Sequence, residues 1–393
     1  MQEFQLHSLF ESGAYASVTA LSSSANFIMN KQAGFTRTYR TYIRPRESGS
    51  LQLRFWHSNA VDSTWDMGAD ASGGEPGGAW RIEAACAGDG GTEHDGSAIL
   101  GSMVPFTFAG QDGLEVHAGE NICSDEITVE VQEGHDLVFS WTITAHNSGK
   151  SIPYNVETML ATAYDAEGNL AASESSDGFH LSEQLLVLPA FIGYRRKTVR
   201  NIVLLGDSIT QGVRTAQDAY EYWGARFTEG LGPNYGVWNI GSGWGRAYDL
   251  SASSPWLHKA MQGDEVLIVL GVNDIGTAGR SADELMGELS SIVALLKKNK
   301  PNGKIVLSTV PPFNFEGDKE QVRRTVNNWI MNTPPIGVDY VYDMAIVLAE
   351  SEAVSHLVKP EYMSSSDDPH PNGLAGKAIA ENYLNWHRTS ELS

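Results

Sequence analysis

The pattern of apolar and polar positions changes character near residue 197. Before that point, short runs rich in β-branched and aromatic residues recur at 39–43, 51–56, 127–131, 137–143 and 185–187, several alternating apolar with polar. Clusters of turn formers separate them at 47–50, 73–78, 88–91, 133–134 and 167–169. Many short strands punctuated in this way predict an all-β sandwich or jelly roll over 1–197. After that point, 202–205 is a continuous apolar run, the mark of a strand buried on both faces, and 220–227 reads as a helix. Further strands are predicted at 238–240, 265–270, 305–309 and 338–342, alternating with helices over 281–299, 318–331 and 373–387. The 281–299 helix carries Leu285, Leu289, Ile292, Leu295 and Leu296 on one face, and Ser281 with Glu284 forms a capping box at its start. Strands alternating with helices predict an α/β domain over 198–393, built on a mostly parallel sheet covered on both faces. The basic stretch 194–200 between the halves is short and runs straight into a strand, so it reads as a tight junction.

Charge and composition narrow the partners. A formal net charge of −21 argues against nucleic acid or an anionic membrane, since a phosphate surface calls for a basic face. With 41% hydrophobic residues there is ample material for two cores. Cys86 and Cys123 do not make a disulfide framework and read as free thiols. The amino terminus lacks a basic segment followed by an apolar core, and no run approaches the length of a membrane span, so the expected location is cytoplasmic. A secreted chain with its leader removed would read the same. Trp56, Trp65, Trp80 and Trp141 are expected to fill the sandwich core rather than to stack on sugars. The acidic cluster of Asp89, Glu93, His94 and Asp95 does not match the spacing of a calcium loop and reads as loop, with no metal.

The chemistry lies in the turns after the buried strands. Gly206-Asp207-Ser208 follows the 202–205 run, Gly241 to Gly245 follows 238–240, Gly271-Val272-Asn273-Asp274 follows 265–270, and Asp367 to Asn372 precedes the last helix. In an open α/β sheet such turns line one edge, where ligands bind. A serine hydroxyl needs a base to take its proton, and histidine is suited to that near neutral pH. The imidazole needs a carboxylate on its other nitrogen. Asp367, three residues before His370, is placed to reach it on a tight turn. Acyl transfer also needs donors for an oxyanion, which a Gly-rich loop and an asparagine amide can supply.

Gly206-Asp207-Ser208-Ile209, the glycine-bearing second block, Gly271-x-Asn273-Asp274 and Asp367-x-x-His370 resemble the four blocks of the SGNH (GDSL-type) hydrolase family, in that family's order. The resemblance covers about the last half of the chain. It implies a three-layer α/β/α domain with Ser208 as nucleophile, His370 as base and Asp367 as the residue orienting the histidine; Asp368 is a rival for that role, but the three-residue spacing favours Asp367. The oxyanion hole would be the Ser208 amide, a second-block glycine amide and the Asn273 side chain. In the family that glycine usually stands five residues after the block's asparagine. Counting from Asn239 reaches Trp244, which leaves Gly243 and Gly245 as alternatives.

The expected activity is hydrolysis of small acyl esters, acetyl above all, through an acyl-enzyme and without cofactor. Resemblance to family members with an amino-terminal jelly roll points to acetylated sugars or oligosaccharides, and a homo-oligomer is compatible with this reading. Asp207, Trp244, Tyr248, Phe313 and Phe315 are candidate substrate-facing residues, the aromatics as sugar platforms or acyl-pocket walls. Two other readings stand beside it: a carboxylesterase or lysophospholipase acting on lipid-like esters, and a carbohydrate-binding protein with an inert hydrolase half.

Overall fold

The β-rich half folds as two large antiparallel sheets with apolar residues between them, and a small two-stranded one of Phe27–Lys31 and Gly149–Tyr154. The computed structural model describes residues 15–64, 71–156, 158–183, 185–390 and 392. Within it the chain forms two compact units, one of residues 1–61 and 75–198, the other of 62–74 and 199–393.

In the first unit, Gly49–Ser58 pairs with Phe191–Arg195, Asn121–Cys123 and Ile127–Val131, and Tyr15–Ser17 pairs with Phe191–Arg195. The second sheet runs through Phe179–Leu181, Ala163–Glu167, Phe35–Ile43, Leu137–Ala145 and Trp80–Asp89, with Val104–Pro105 and Leu114–Val116 also on the last of these. Phe55 of the first sheet meets Phe139 and Trp141 of the second edge to face, with ring centroids 5.4 and 6.0 Å apart. Trp56, Trp80 and Trp141 are all buried, so these three indoles are core, and Trp141 also donates to the Val187 carbonyl at 3.0 Å. Trp65 lies outside the described residues. Cys86 and Cys123 are free.

Two expectations fail here. Residues 185–187 are not a strand, since Leu186 makes only an isolated bridge to Asn155. Conversely Trp80–Asp89, ten residues long, escaped the pattern because its centre is Glu-Ala-Ala-Cys-Ala-Gly. Register explains the small residues, because Ala85 and Ala87 stand opposite Trp141 and Phe139. Bulk on one strand is matched by its absence on the next.

In the second unit the strands are β1 (Arg200–Gly206), β2 (Tyr235–Asn239), β3 (Glu265–Val269), β4 (Lys304–Ser308) and β5 (Tyr340–Tyr342). They are all parallel, in the order β2-β1-β3-β4-β5. The helices are α1 (Ser208–Gln211), α2 (Trp223–Leu231), α3 (Pro255–Ala260), α4 (Val272–Gly276), α5 (Ala282–Asn299), α6 (Gly317–Asn332), α7 (Met344–Leu348) and α8 (Gly373–Thr389). They pack in two groups, α2 and α7 with α8, and α3 and α6 with α5, which gives the expected α/β/α layering. Ile202, Leu204, Leu267, Ile268, Val306 and Leu307 form the buried sheet core. The capping box at Ser281 and Glu284 is formed. The 220–227 helix instead starts at Trp223, after Tyr220 takes a positive φ of 50°. The strand order reverses direction between β1 and β3, and that switch point is where such folds open a crevice.

Candidate active site

Ser208 is presented by a turn that only a small residue permits. A Cβ on Gly206, at the end of β1, would stand 2.1 Å from the Thr210 hydroxyl oxygen. Asp207 is extended and caps α1 by accepting from the Ile209 amide at 2.9 Å. Ser208 is therefore the first residue of α1. Its own N–H finds no acceptor among the described residues, as expected in a first helical turn.

The second loop is fastened to the first. Asn239, at the end of β2, donates to the Thr210 carbonyl at 3.0 Å and accepts from the Gly241 amide at 2.9 Å. The Ser242 amide donates to the Gly206 carbonyl at 2.9 Å. The next four residues close a turn in which the Gly245 amide donates to the Ser242 carbonyl at 3.0 Å, with Trp244 at a φ of 64°. Of the two glycine candidates, Gly245 therefore has its amide engaged within the turn.

The third loop grips the second. Asn273, in α4 after β3, donates to the Gly245 carbonyl at 3.1 Å, which occupies one hydrogen of its amide. Asp274 accepts from the Ala247 and Tyr248 amides at 3.1 and 3.3 Å. Burial pushes the Asp274 carboxyl up to about 7 against those hydrogen bonds. Asp207 is also pushed up to about 7, first by burial and further by the neighbouring Asp274.

The fourth block is a hairpin of Met363–Ser365 and Asp368–Pro371. It brings His370 Nε2 to 3.0 Å from the Ser208 Oγ. The carboxylate on the other side of the ring is Asp368, whose Oδ1 lies 2.5 Å from His370 Nδ1. With a carboxylate facing Nδ1, that nitrogen carries the proton and Nε2 presents its lone pair to the serine. Asp367, the expected partner, sits exposed at the hairpin turn. The correction has a simple cause: side chains two apart on a strand share a face, and the strand begins at Asp368. Partial burial raises the Asp368 carboxyl, but hydrogen bonds from His370 and Arg214 outweigh it and hold it below the usual range. Arg214 was not anticipated; its Nε donates to Asp368 Oδ2 at 3.0 Å.

The proposed substrate-facing residues separate. Asp207 is buried beneath the serine and does not face solvent, so it is removed from that set. Phe313 sets its ring edge against His370, centroids 5.1 Å apart at 88°, and Phe315 is buried beside it. Trp244 is half-buried and Tyr248 is exposed, the latter lying under the Arg280 guanidinium at 4.3 Å. Among the described residues no group of three or more His, Cys, Asp or Glu is arranged to hold a metal, and no helix is long and apolar enough to cross a membrane.

Residues 204–376 match the GDSL-like Lipase/Acylhydrolase family, a span that contains Ser208, Asn273 and His370. No curated protein matches the chain. Among solved structures, a family two carbohydrate esterase from Clostridium thermocellum in complex with cellohexaose aligns over 95% of this chain and 98% of its own, at 12% identity and a TM-score of 0.39. A carbohydrate esterase family 3 from Talaromyces cellulolyticus aligns over 47% of this chain and 95% of its own, at 18% identity and a TM-score of 0.35. A GDSL-like lipase from Bacteroides thetaiotaomicron aligns over 48% and 87%, at 19% identity and a TM-score of 0.35. Three of the four blocks end strands of one parallel sheet, the fourth lies on a hairpin beside them, and all fall within residues 204–376, the span that matches the GDSL-like Lipase/Acylhydrolase family, a likeness that supports a carboxylic ester hydrolase.

Proposed function

We propose that the chain is a serine esterase that removes small acyl groups, acetyl first among them, from carbohydrate, with Ser208, His370 and Asp368 as its triad. The observation that carries the reading is the 3.0 Å approach of His370 Nε2 to the Ser208 Oγ. His370 takes the serine proton as Oγ attacks the ester carbonyl. The Asp368 carboxylate stabilises the imidazolium that forms. Negative charge collects on the carbonyl oxygen, and the Ser208 amide, the Gly243 amide and the remaining Asn273 amide hydrogen are the donors for it. His370 then protonates the departing alcohol. Water, deprotonated by the same imidazole, releases the acid and restores the serine.

A short acyl group on a polar alcohol fits the rim better than a lipid does. Of the large apolar side chains that are strongly exposed among the described residues, only Tyr248 and Leu374 lie on segments bearing the site. A lipid-binding face would need a contiguous apolar patch rather than two separate side chains. Tyr248, carried on the second loop's continuation, offers a surface suited to a sugar ring.

The test measures hydrolysis of acetyl, butyryl and octanoyl p-nitrophenyl esters by the native chain and by Ser208→Ala, then acetate release from acetylated xylan and mannan oligosaccharides. The expected result is Ser208-dependent turnover that falls with acyl length, with acetate released from the oligosaccharides. Rates that climb with chain length would favour the lipid-like substrate.

A further inference from the structure

The hydrolase unit is not one continuous stretch of chain. The described residues 62–64 and 71–74 group with it, and the loop's neck is closed where the Val61 amide donates to the Glu75 carbonyl at 2.9 Å. Three consecutive residues of the loop each make a buried polar contact with the 242–259 region. Asp62 pairs with Lys259 at 2.7 Å, both side chains almost fully buried. Thr64 bonds the Asp249 carboxylate through its hydroxyl and, at 3.2 Å, through its amide. Between them Ser63 Oγ lies 2.7 Å from Ser242 Oγ and 3.2 Å from the Gly243 carbonyl oxygen, with Ser63 and Ser242 wholly buried.

The Gly243 carbonyl belongs to the central peptide of the Ser242–Gly245 turn. A positive φ at the turn's third residue is the mark of a type II turn, and glycine is the residue suited to it. Here that residue is Trp244, at 64°. Flipping the central peptide would return Trp244 to the negative φ that its side chain prefers. It would also swing the Gly243 carbonyl to the opposite side. A hydrogen bond to that carbonyl, from a buried hydroxyl held by the loop, opposes the flip. Backbone held in a sparsely populated region persists where its surroundings fix it.

We infer that Ser63 is a positioning residue of the active site: through its bond to the Gly243 carbonyl it locks the Gly243–Trp244 peptide, and so keeps the second-block loop in the form that stabilises the oxyanion. This rests on the reading of Ser208, Gly243 and Asn273 as an ester-cleaving site. It makes a residue from the amino-terminal half of the sequence part of the machinery of the other half.

The experiment is a double-mutant cycle on the full chain, with Ser63→Ala, Trp244→Gly and their combination, assayed on p-nitrophenyl acetate. Melting temperatures and the crystal structure of Ser63→Ala accompany it. Ser63→Ala is expected to lower kcat about tenfold with KM within about twofold, and Ser63→Thr, which keeps the hydroxyl, to recover most of it. In the Trp244→Gly background the positive φ is no longer strained, so the same Ser63→Ala change is expected to cost less than about threefold. A residue that only supports folding would lower the melting temperature and cost the same in both backgrounds, and that result overturns the inference. So does a kcat within twofold of the native chain. The crystal structure answers independently of activity: a negative φ at Trp244 in Ser63→Ala supports the lock. An unmoved turn together with an unchanged kcat ends it. If the native chain shows no Ser208-dependent turnover, it is the reading of the site that has failed, and the crystal structure alone decides whether the peptide is locked.

Discussion

Asp368 and His370 stand two residues apart on one strand, with Oδ1 of the first 2.5 Å from Nδ1 of the second. The same Oδ1 also accepts the His370 amide at 3.1 Å, so carboxylate and imidazole are fixed by one short stretch of backbone. Asp367 is exposed at the turn. In esterase assays, Asp368→Asn is expected to lower kcat by about 10²- to 10⁴-fold, and Asp367→Asn to leave it within about twofold. The opposite ranking would return the orienting role to Asp367.

Arg214 holds the far oxygen of the same carboxylate from a loop six residues beyond the nucleophile. The guanidinium is about half exposed, which limits its effect. Replacing it by alanine removes one of the hydrogen bonds that hold the Asp368 carboxyl below its usual range, so that carboxyl is expected to rise. The loss in kcat/KM is then expected to be roughly three- to tenfold on the acid side of the pH profile and smaller on the alkaline side. A profile that drops by the same factor at every pH would instead mean that Arg214 acts on packing alone.

The parts of this site that could be read from sequence are those set by local rules. The β1 strand announces itself as an apolar run between polar residues, and Gly206-Asp207-Ser208 can only be a turn, so a serine at that strand's carboxyl end was legible. The turns that carry Asn273 and His370 followed from the same logic. The choice between Asp367 and Asp368 was not, because it depends on where a two-stranded hairpin turns. Spacing from the histidine does not reveal that; the alternation of side chains once the strand has begun does. Ser63 was hidden for a different reason. Nothing in the composition of 62–64 says which unit they pack on, since the contacts described for them are hydroxyl and amide hydrogen bonds and an ion pair.

Asn273 donates one amide hydrogen to the Gly245 carbonyl, and in the proposed reaction the other serves the oxyanion. Asn273→Ala is expected to cost about 10²- to 10³-fold in kcat, the range for loss of one oxyanion donor, with little change in KM. Because the same change also frees the Gly245 carbonyl, Asn273→Asp is the informative companion. It keeps the volume but puts a carboxylate where negative charge develops, and its activity should be no better than that of the alanine variant.

The buried carboxyls give the fold a pH dependence whose sign can be worked out. Asp207 has a folded pKa raised from 3.8 to about 7, chiefly by burial. Between those values the folded chain holds a proton that the unfolded chain has released, so the folded state is increasingly disfavoured as pH rises through that window and levels off above it. Asp274, also raised to about 7, adds to the same slope. Asparagine at 207 can still accept from the Ile209 amide and is a good helix cap, but it does not titrate. Urea unfolding of the native chain and Asp207→Asn at pH 5 and pH 8 should therefore show the variant gaining relative stability at the higher pH, on the order of 2 kcal/mol. Equal differences at the two pH values would mean that the Asp207 carboxyl titrates in its ordinary range.

The Asp62–Lys259 pair ties the 62–74 loop to α3 where neither charge reaches water. Such a pair contributes little net stability compared with well-packed apolar residues, because desolvating both ions offsets their attraction. Breaking it from one side is different, since the remaining buried ion loses this counter-charge. Asp62→Ala is therefore expected to destabilise the chain by about 3–5 kcal/mol, while Asp62→Leu combined with Lys259→Met should cost distinctly less. Denaturant unfolding of the single and double variants measures both. If the double variant is as unstable as the single, the loop is held by the geometry of the ion pair itself. If it recovers, the contact serves to place Ser63, and the double variant should keep its esterase rate along with its stability.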